Sequence, residues 1–283
     1  MMNENDLIGE MFRNIEVSYA YAYQELLKSK QSNNILDSPR LLYHLVCLSA
    51  GDDPEVAMSW LSYAIKECGY WYHRRFFEDE NLLPLSDSVV YQRLKAISKT
   101  RYDYQKEQGS PLTTWESYRA PHLVIVVHGE GGGIQESQKA WSHLESTSVQ
   151  VEYIQSSLPL YYKGFEWDTH HSNYNDIVNS LSSVDFTLYE KVSLIAVSSG
   201  CDPVLKSLCS VYCENVQVIL VAPVVNLDGY QLDKISQCME SLVSSFGIVC
   251  NKDDAYSLKD ALSLVGFFKG YRIDTHHAIE VTT

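Results

Sequence analysis

The chain changes its hydrophobic period once, near residue 121. Before that point apolar positions recur at helical spacing. Leu7, Met11, Ile15, Ala22 and Leu26 fall on one face. Ser38-Pro39 reads as an N-cap with proline at the first helical position, and Gly51 closes that helix. Asp53-Pro54 and Gly69 repeat the start and the stop. A short aromatic helix follows, and Ser86-Asp87-Ser88 opens another through Leu94 and Ile97. Residues 107–120, with Gly109 and Pro111, read as a linker. Beyond it come short apolar runs. The run 123–127 has no polar break, 149–155 alternates, and 192–197, 216–221, 246–250 and 270–273 read as further strands. Helical stretches lie near 135–146, 173–183, 203–212, 231–244 and 256–267. Strands alternating with helices predict a parallel sheet covered on both faces. The expected division is a helical domain over 1–106, a linker over 107–120 and an α/β domain over 121–283.

Composition narrows the class. A net charge of −14 in 283 residues argues against binding nucleic acid or an anionic membrane, because both need a basic face. No apolar run is long enough to cross a bilayer, and the acidic start Met-Met-Asn-Glu-Asn-Asp does not read as a signal peptide. The seven cysteines (47, 68, 201, 209, 213, 238, 250) contain no Cys-x-x-Cys pair. An odd, scattered set suggests reduced thiols, so a cytoplasmic location is expected. The 20 tyrosines imply interface and core packing and carry no functional reading of their own.

Candidate chemistry gathers just past the predicted strand ends, where parallel α/β sheets hold their ligands. The run Ala196-Val-Ser198-Ser199-Gly200 joins a buried strand to a helix through a small-residue turn. That arrangement lifts a serine hydroxyl above a sheet as a nucleophile; the plainer reading is a helix N-cap. Ser199 would then supply a backbone N–H to an oxyanion hole. His128-Gly129-Glu130-Gly131-Gly132-Gly133 follows the strand at 123–127, and its Glu130 or Gly131 N–H is the expected second donor. The loop lacks the spacing of a nucleotide-binding fingerprint. Asp253-Asp254 follows the strand at 246–250; one carboxylate would orient a base and the other cap the next helix. His276-His277 offers the base with the same two-fold ambiguity. His170-His171 are adjacent and point apart, with no third ligand evident, so no metal and no cofactor are expected.

Two resemblances bear on these residues. Ala64 to Tyr70, Phe76 to Asp79, Leu82-Leu-Pro84-Leu85 and Tyr91 to Leu94 resemble the closing unit of bacterial tetratricopeptide-like repeats, which implies a helical-repeat domain. The order Ser…Asp…His, with the blocks Pro121 to Gly129, Trp141, Gln155-Ser-Ser157, Trp167-Asp168, Ala196 to Gly200, Val221-Ala-Pro223, Asn251-Lys-Asp253 and His277, resembles α/β-hydrolases of the dienelactone-hydrolase and carboxylesterase type. That resemblance spans 121–283. It implies a triad of Ser198, Asp253 and His277, with the loop at His128-Gly129 supplying an oxyanion donor. Three departures stand out: Ala196 replaces the first elbow glycine, Cys201 replaces a second small residue, and the chain ends six residues after His277, so no helix is expected behind the histidine loop. The sheet is expected to start at the strand that is third in fuller members.

The fold expected is a parallel-sheet α/β-hydrolase core preceded by an all-α helical-repeat domain. The activity expected is hydrolysis of a small carboxylic ester or thioester through an acyl-serine. The partners expected are the acyl-ester substrate and a protein bound through the helical repeats. The rival from another class is a catalytically weak or inactive scaffold; a lesser alternative is a peptidase acting on short peptides.

Overall fold

The computed structural model describes residues 4–33, 37–109, 112–115, 120–167, 174–211, 216–250 and 254–268. The chain forms two compact units, Met1–Gln108 with Leu160–Tyr162, and Gly109–Pro159 with Lys163–Thr283.

The first unit is all-α in its main elements: α1 (Glu4–Ile15), α2 (Tyr19–Ser32), α3 (Pro39–Ala50), α4 (Pro54–Ser62) and α5 (Val89–Gln108). The starts follow cap chemistry. Ser38 Oγ accepts the Leu41 N–H at 3.0 Å, Asp53 Oδ1 accepts the Val56 N–H at 3.1 Å, and proline occupies the first position of both helices. The single face expected from Leu7 to Leu26 is split between two helices. Ser18 breaks the run, its Oγ accepting the Tyr21 N–H at 3.1 Å, while Leu7, Met11, Ala22 and Leu26 stay buried. The stretch between α4 and α5 tightens into a π-helical turn (Tyr63–Glu67) and 3₁₀ turns (Arg74–Glu78, Glu80–Leu85). Arg101 serves the end of the π-helical turn, donating from Nη1 to the carbonyls of Ile65 and, at 3.1 Å, Tyr70. Leu160–Tyr162 joins this unit through main-chain bonds: His73 N–H to Leu160 O at 2.8 Å and Tyr162 N–H to Trp71 O at 3.0 Å.

The second unit holds a five-stranded sheet: β1 (His122–Val127), β2 (Val149–Ile154), β5 (Lys191–Val197), β6 (Val216–Val221) and β7 (Val243–Val249). Between β2 and β5 the chain makes a two-stranded sheet from β3 (Leu158–Tyr161) and β4 (Gly164–Glu166). The large sheet has the order β2-β1-β5-β6-β7 with every neighbouring pair parallel. Alternate residues of β1 serve its two faces. Leu123, Ile125 and Val127 join a core with α7 (Tyr174–Ser182), α8 (Cys201–Ser207), α9 (Gly229–Leu242) and α10 (Ala255–Phe267). Val124 and Val126 pack with Tyr153, Ile195 and residues of α6 (Ile134–Trp141). From β1 the chain runs outward to β2 and then returns to the other side of β1 as β5. The switch point of the sheet therefore lies between the carboxyl ends of β1 and β5, where a crevice opens in such folds.

Candidate active site

Two segments meet at that switch point. β5 ends at Val197, Ser198–Gly200 form a 3₁₀ turn, and α8 follows at once. Ser198 carries a left-handed backbone, φ +50°, and its residue is half-exposed. Such a conformation costs a non-glycine residue about 1–2 kcal/mol, so the surroundings must enforce it. The Ser198 carbonyl accepts the Cys201 N–H and, at 3.2 Å, the Val224 N–H. The Cys201 thiol donates to Ala196 O at 3.3 Å, closing the elbow from inside. Gly200 lies on the loop after β1: a Cβ there would stand 2.3 Å from His128 O.

The loop itself is built around His128. The ring is 2% exposed and accepts the Ser156 N–H on Nε2 at 3.1 Å. Its proton is therefore on Nδ1, which donates to Gly129 O at 2.6 Å. Burial pushes the ring down to about 4, so it is neutral at physiological pH. Trp167 stacks on it with centroids 4.9 Å apart, and donates its indole N–H to His128 O at 2.7 Å. Gly129 O also accepts the Gly132 N–H at 3.1 Å. A trans peptide points its N–H opposite to its carbonyl, so these two bonds aim the Glu130 N–H away from the His128 ring. At Gly129 the loop passes close to the serine: a Cβ there would stand 3.0 Å from Ser198 Cβ.

The sequence-derived residues Ser198, Ser199, Glu130 and Gly131 are thus all carried by the β1 and β5 ends. They do not stand equally. The Gly131 N–H is given to Phe165 O at 2.8 Å. The Ser199 N–H falls in the first turn after β5, where helical N–H groups have no intrahelical acceptor. The Ser199 hydroxyl is buried without a hydrogen-bond partner. Asp253, His276 and His277 lie outside the described residues, as do Asp168, His170 and His171. Asp254 is described, and it caps α10: Oδ1 accepts the Ser257 N–H at 3.2 Å and Oδ2 the Ser257 hydroxyl at 2.7 Å.

Sequence reading missed Asp202. It is 1% exposed on α8, accepts the Asn226 N–H at 2.8 Å on Oδ1 and pairs with Lys206 at 2.5 Å on Oδ2. With the Val224–Ser198 bond it ties the segment after β6 to the elbow. The signal was available as a carboxylate four residues before a lysine on an otherwise apolar helix. Among the described residues no group of three His, Cys, Asp or Glu could hold a metal, and no helix is long and apolar enough to cross a membrane.

Residues 5–106 match a family described as the A/B hydrolase-like N-terminal domain. No curated protein sequence matches the chain. Among solved structures, an uncharacterized protein from Bacillus cereus ATCC 10987 is similar at 18% identity and a TM-score of 0.46, over 96% of this chain and 89% of that one. Esterase PE8 is similar at 13% and 0.41, over 59% and 86%. Acyl-protein thioesterase 2 of Zea mays is similar at 13% and 0.39, over 56% and 83%. The fold is an α/β-hydrolase-like parallel sheet preceded by an all-α unit.

Proposed function

We infer that the chain is a serine hydrolase that cleaves a small carboxylic ester or thioester through an acyl-serine intermediate. The observation that carries this reading is Ser198: a non-glycine residue held at φ +50° between a parallel strand and a helix, at the sheet's switch point, with the β1 loop against it. A serine that only capped a helix would sit in extended backbone, as Ser18 and Ser38 do.

In this reading His277 takes the proton of Ser198 as Oγ attacks the acyl carbon, and Asp253 orients the imidazole. The carbonyl electron pair moves onto oxygen, where the N–H of Ser199 and a second N–H from the β1 loop, at Glu130 or Gly131, receive it. Collapse expels the alcohol or thiol, protonated by His277. Water activated by the same base then releases the acid. The capping work done by Asp254 supports the choice of Asp253 as the orienting carboxylate. No cofactor enters the scheme. Within it the chain is of the dienelactone-hydrolase and carboxylesterase type, with the tetratricopeptide-like first unit available for a protein partner.

A fluorophosphonate probe tests the proposal directly. Wild type and Ser199→Ala should be labelled, with the adduct on Ser198 by peptide mapping, and Ser198→Ala should not. A folded wild-type protein that takes no label and turns over no short acyl ester would favour the scaffold instead.

A further inference from the structure

Beyond the elbow serine, α8 and α9 bring two thiols near one another. Cys209 stands in the turn at 208–210 that follows α8, and Cys238 lies on α9. The Cys209 Sγ is 3.8 Å from the carbonyl oxygen of Lys234. Lys234 is one helical turn before Cys238 on α9, so this contact brings Cys209 beside the Cys238 side chain. Both residues are half-exposed, whereas Cys47 and Cys201 are buried.

We propose that Cys209 and Cys238 form a reversible disulfide when the protein meets a peroxide. Closing it draws the sulfurs to about 2.05 Å, and the irregular turn at 208–210 can absorb that shift without breaking either helix. Cys238, fixed on α9, is taken as the first thiol to react, and Cys209 in the irregular turn moves to meet it. Its thiolate attacks one peroxide oxygen, the O–O bond breaks, and Cys238 becomes a sulfenic acid with loss of hydroxide. That hydroxide removes the Cys209 proton. The Cys209 thiolate then attacks the sulfenic sulfur, the S–O bond breaks, and the second hydroxide leaves as water with the proton that Cys238 released on ionising. Two thiols and one peroxide give one disulfide and two waters; the sulfurs lose two electrons and the peroxide gains them. A small thiol reductant reverses the change by exchange.

The test uses the full chain treated with hydrogen peroxide, quenched with N-ethylmaleimide in acid and digested with trypsin. Cleavage after Lys206, Lys234 and Lys252 places Cys209 with Cys213 in one peptide and Cys238 with Cys250 in another. The expected product is a dithiothreitol-sensitive link between these peptides that fragmentation assigns to Cys209 and Cys238. Cys209→Ser and Cys238→Ser should each abolish it, and Cys213→Ser and Cys250→Ser should leave it. Fragmentation of the wild-type product assigns the link even if a variant fails to fold. A link assigned to Cys213 or Cys250, or a Cys238 that proceeds to sulfinic acid while Cys209 stays alkylated, would overturn the proposal.

Discussion

Replacing Gly200 with alanine should loosen the elbow from the β1 loop. The new Cβ would stand 2.3 Å from His128 O and 3.1 Å from Val127 Cγ1, both parts of the rigid end of β1. To reach ordinary contact the carbonyl must retreat by about 1 Å. The same carbonyl accepts the Trp167 indole N–H at 2.7 Å, so the retreat strains that bond too. Overpacking of this kind costs about 1–3 kcal/mol, and a weakened hydrogen bond adds about 1 kcal/mol. At roughly 2–4 °C per kcal/mol, thermal unfolding followed by tryptophan fluorescence should fall by about 5–15 °C. Because Gly129 sits against Ser198, the shift also displaces the proposed oxyanion loop, and a 1 Å misplacement of a reacting geometry costs about 10²-fold in rate. Fluorophosphonate labelling of the folded variant should slow accordingly. Gly247→Ala is the control, since a Cβ on that β7 residue meets nothing within 4 Å. It should melt within a few degrees of wild type and label normally. A Gly200→Ala protein with wild-type melting and wild-type labelling would refute the reasoning that this contact sets the loop.

Ser198→Gly should melt above Ser198→Ala by about 1 kcal/mol, the reverse of the usual order, because only glycine is at ease at φ +50°; neither variant should label, and the ordinary order on melting would remove the strain from the account. Asp254→Ala should lose about 1 kcal/mol of stability with labelling intact, as expected for a lost α10 cap. Asp253→Ala should do the opposite, and loss of labelling in the Asp254 variant would exchange the two roles. Acid should destabilise the second unit through His128. Its folded pKa lies at about 4 against 6.5 for a free imidazole, so the unfolded state binds the extra proton between those values. Stability is then full above 6.5 and declines as pH falls toward 4, by up to about 3 kcal/mol. The urea midpoint should follow that course in wild type and flatten in His128→Gln, and an unchanged slope in the variant would acquit the residue.

What could be read from sequence was what neighbours along the chain decide. The runs of β1 and β5 stand out because they are nearly unbroken and buried on both faces, and β2, β6 and β7 show instead apolar positions that alternate over part of their length. That one carboxylate of Asp253-Asp254 caps the following helix was legible for the same local reason, though not which of the two. The β3–β4 pair was not. Its segment contains Pro159 and no clean alternation, and residues Leu160 and Tyr162 find their main-chain partners at His73 and Trp71, far away in sequence. α5 runs on to Gln108 although its interior is polar. Only Tyr91, Leu94 and Ser98 form its buried stripe, which is too sparse for the pattern to announce a helix of that length. The state of His128 was equally hidden. Its tautomer depends on Ser156 and its ring packing on Trp167, residues that periodicity cannot bring together.

The departures noted at the elbow acquire a physical explanation from this geometry. A glycine is needed where a residue must take positive φ or where another backbone comes too close. Ala196 meets neither condition. It is a buried β5 residue in register with Val127 and Leu220, and its carbonyl is the acceptor of the Cys201 thiol. Cys201 is likewise fitted to its site: a thiol whose pKa burial raises well above the ordinary range, acting as a donor inside the turn. Gly200 does meet the second condition, through the His128 carbonyl. The positive φ falls on Ser198 itself, where the price is accepted because that backbone lifts the side chain off the sheet. The relaxed first position of the motif and its strict last position therefore have one cause: the β1 loop packs over Gly200 and leaves Ala196 to the strand. Ala196→Gly should accordingly gain no labelling rate and should lose about 1 kcal/mol of stability, the ordinary cost of glycine in a strand. A faster-labelling Ala196→Gly protein would mean that the alanine does burden the turn.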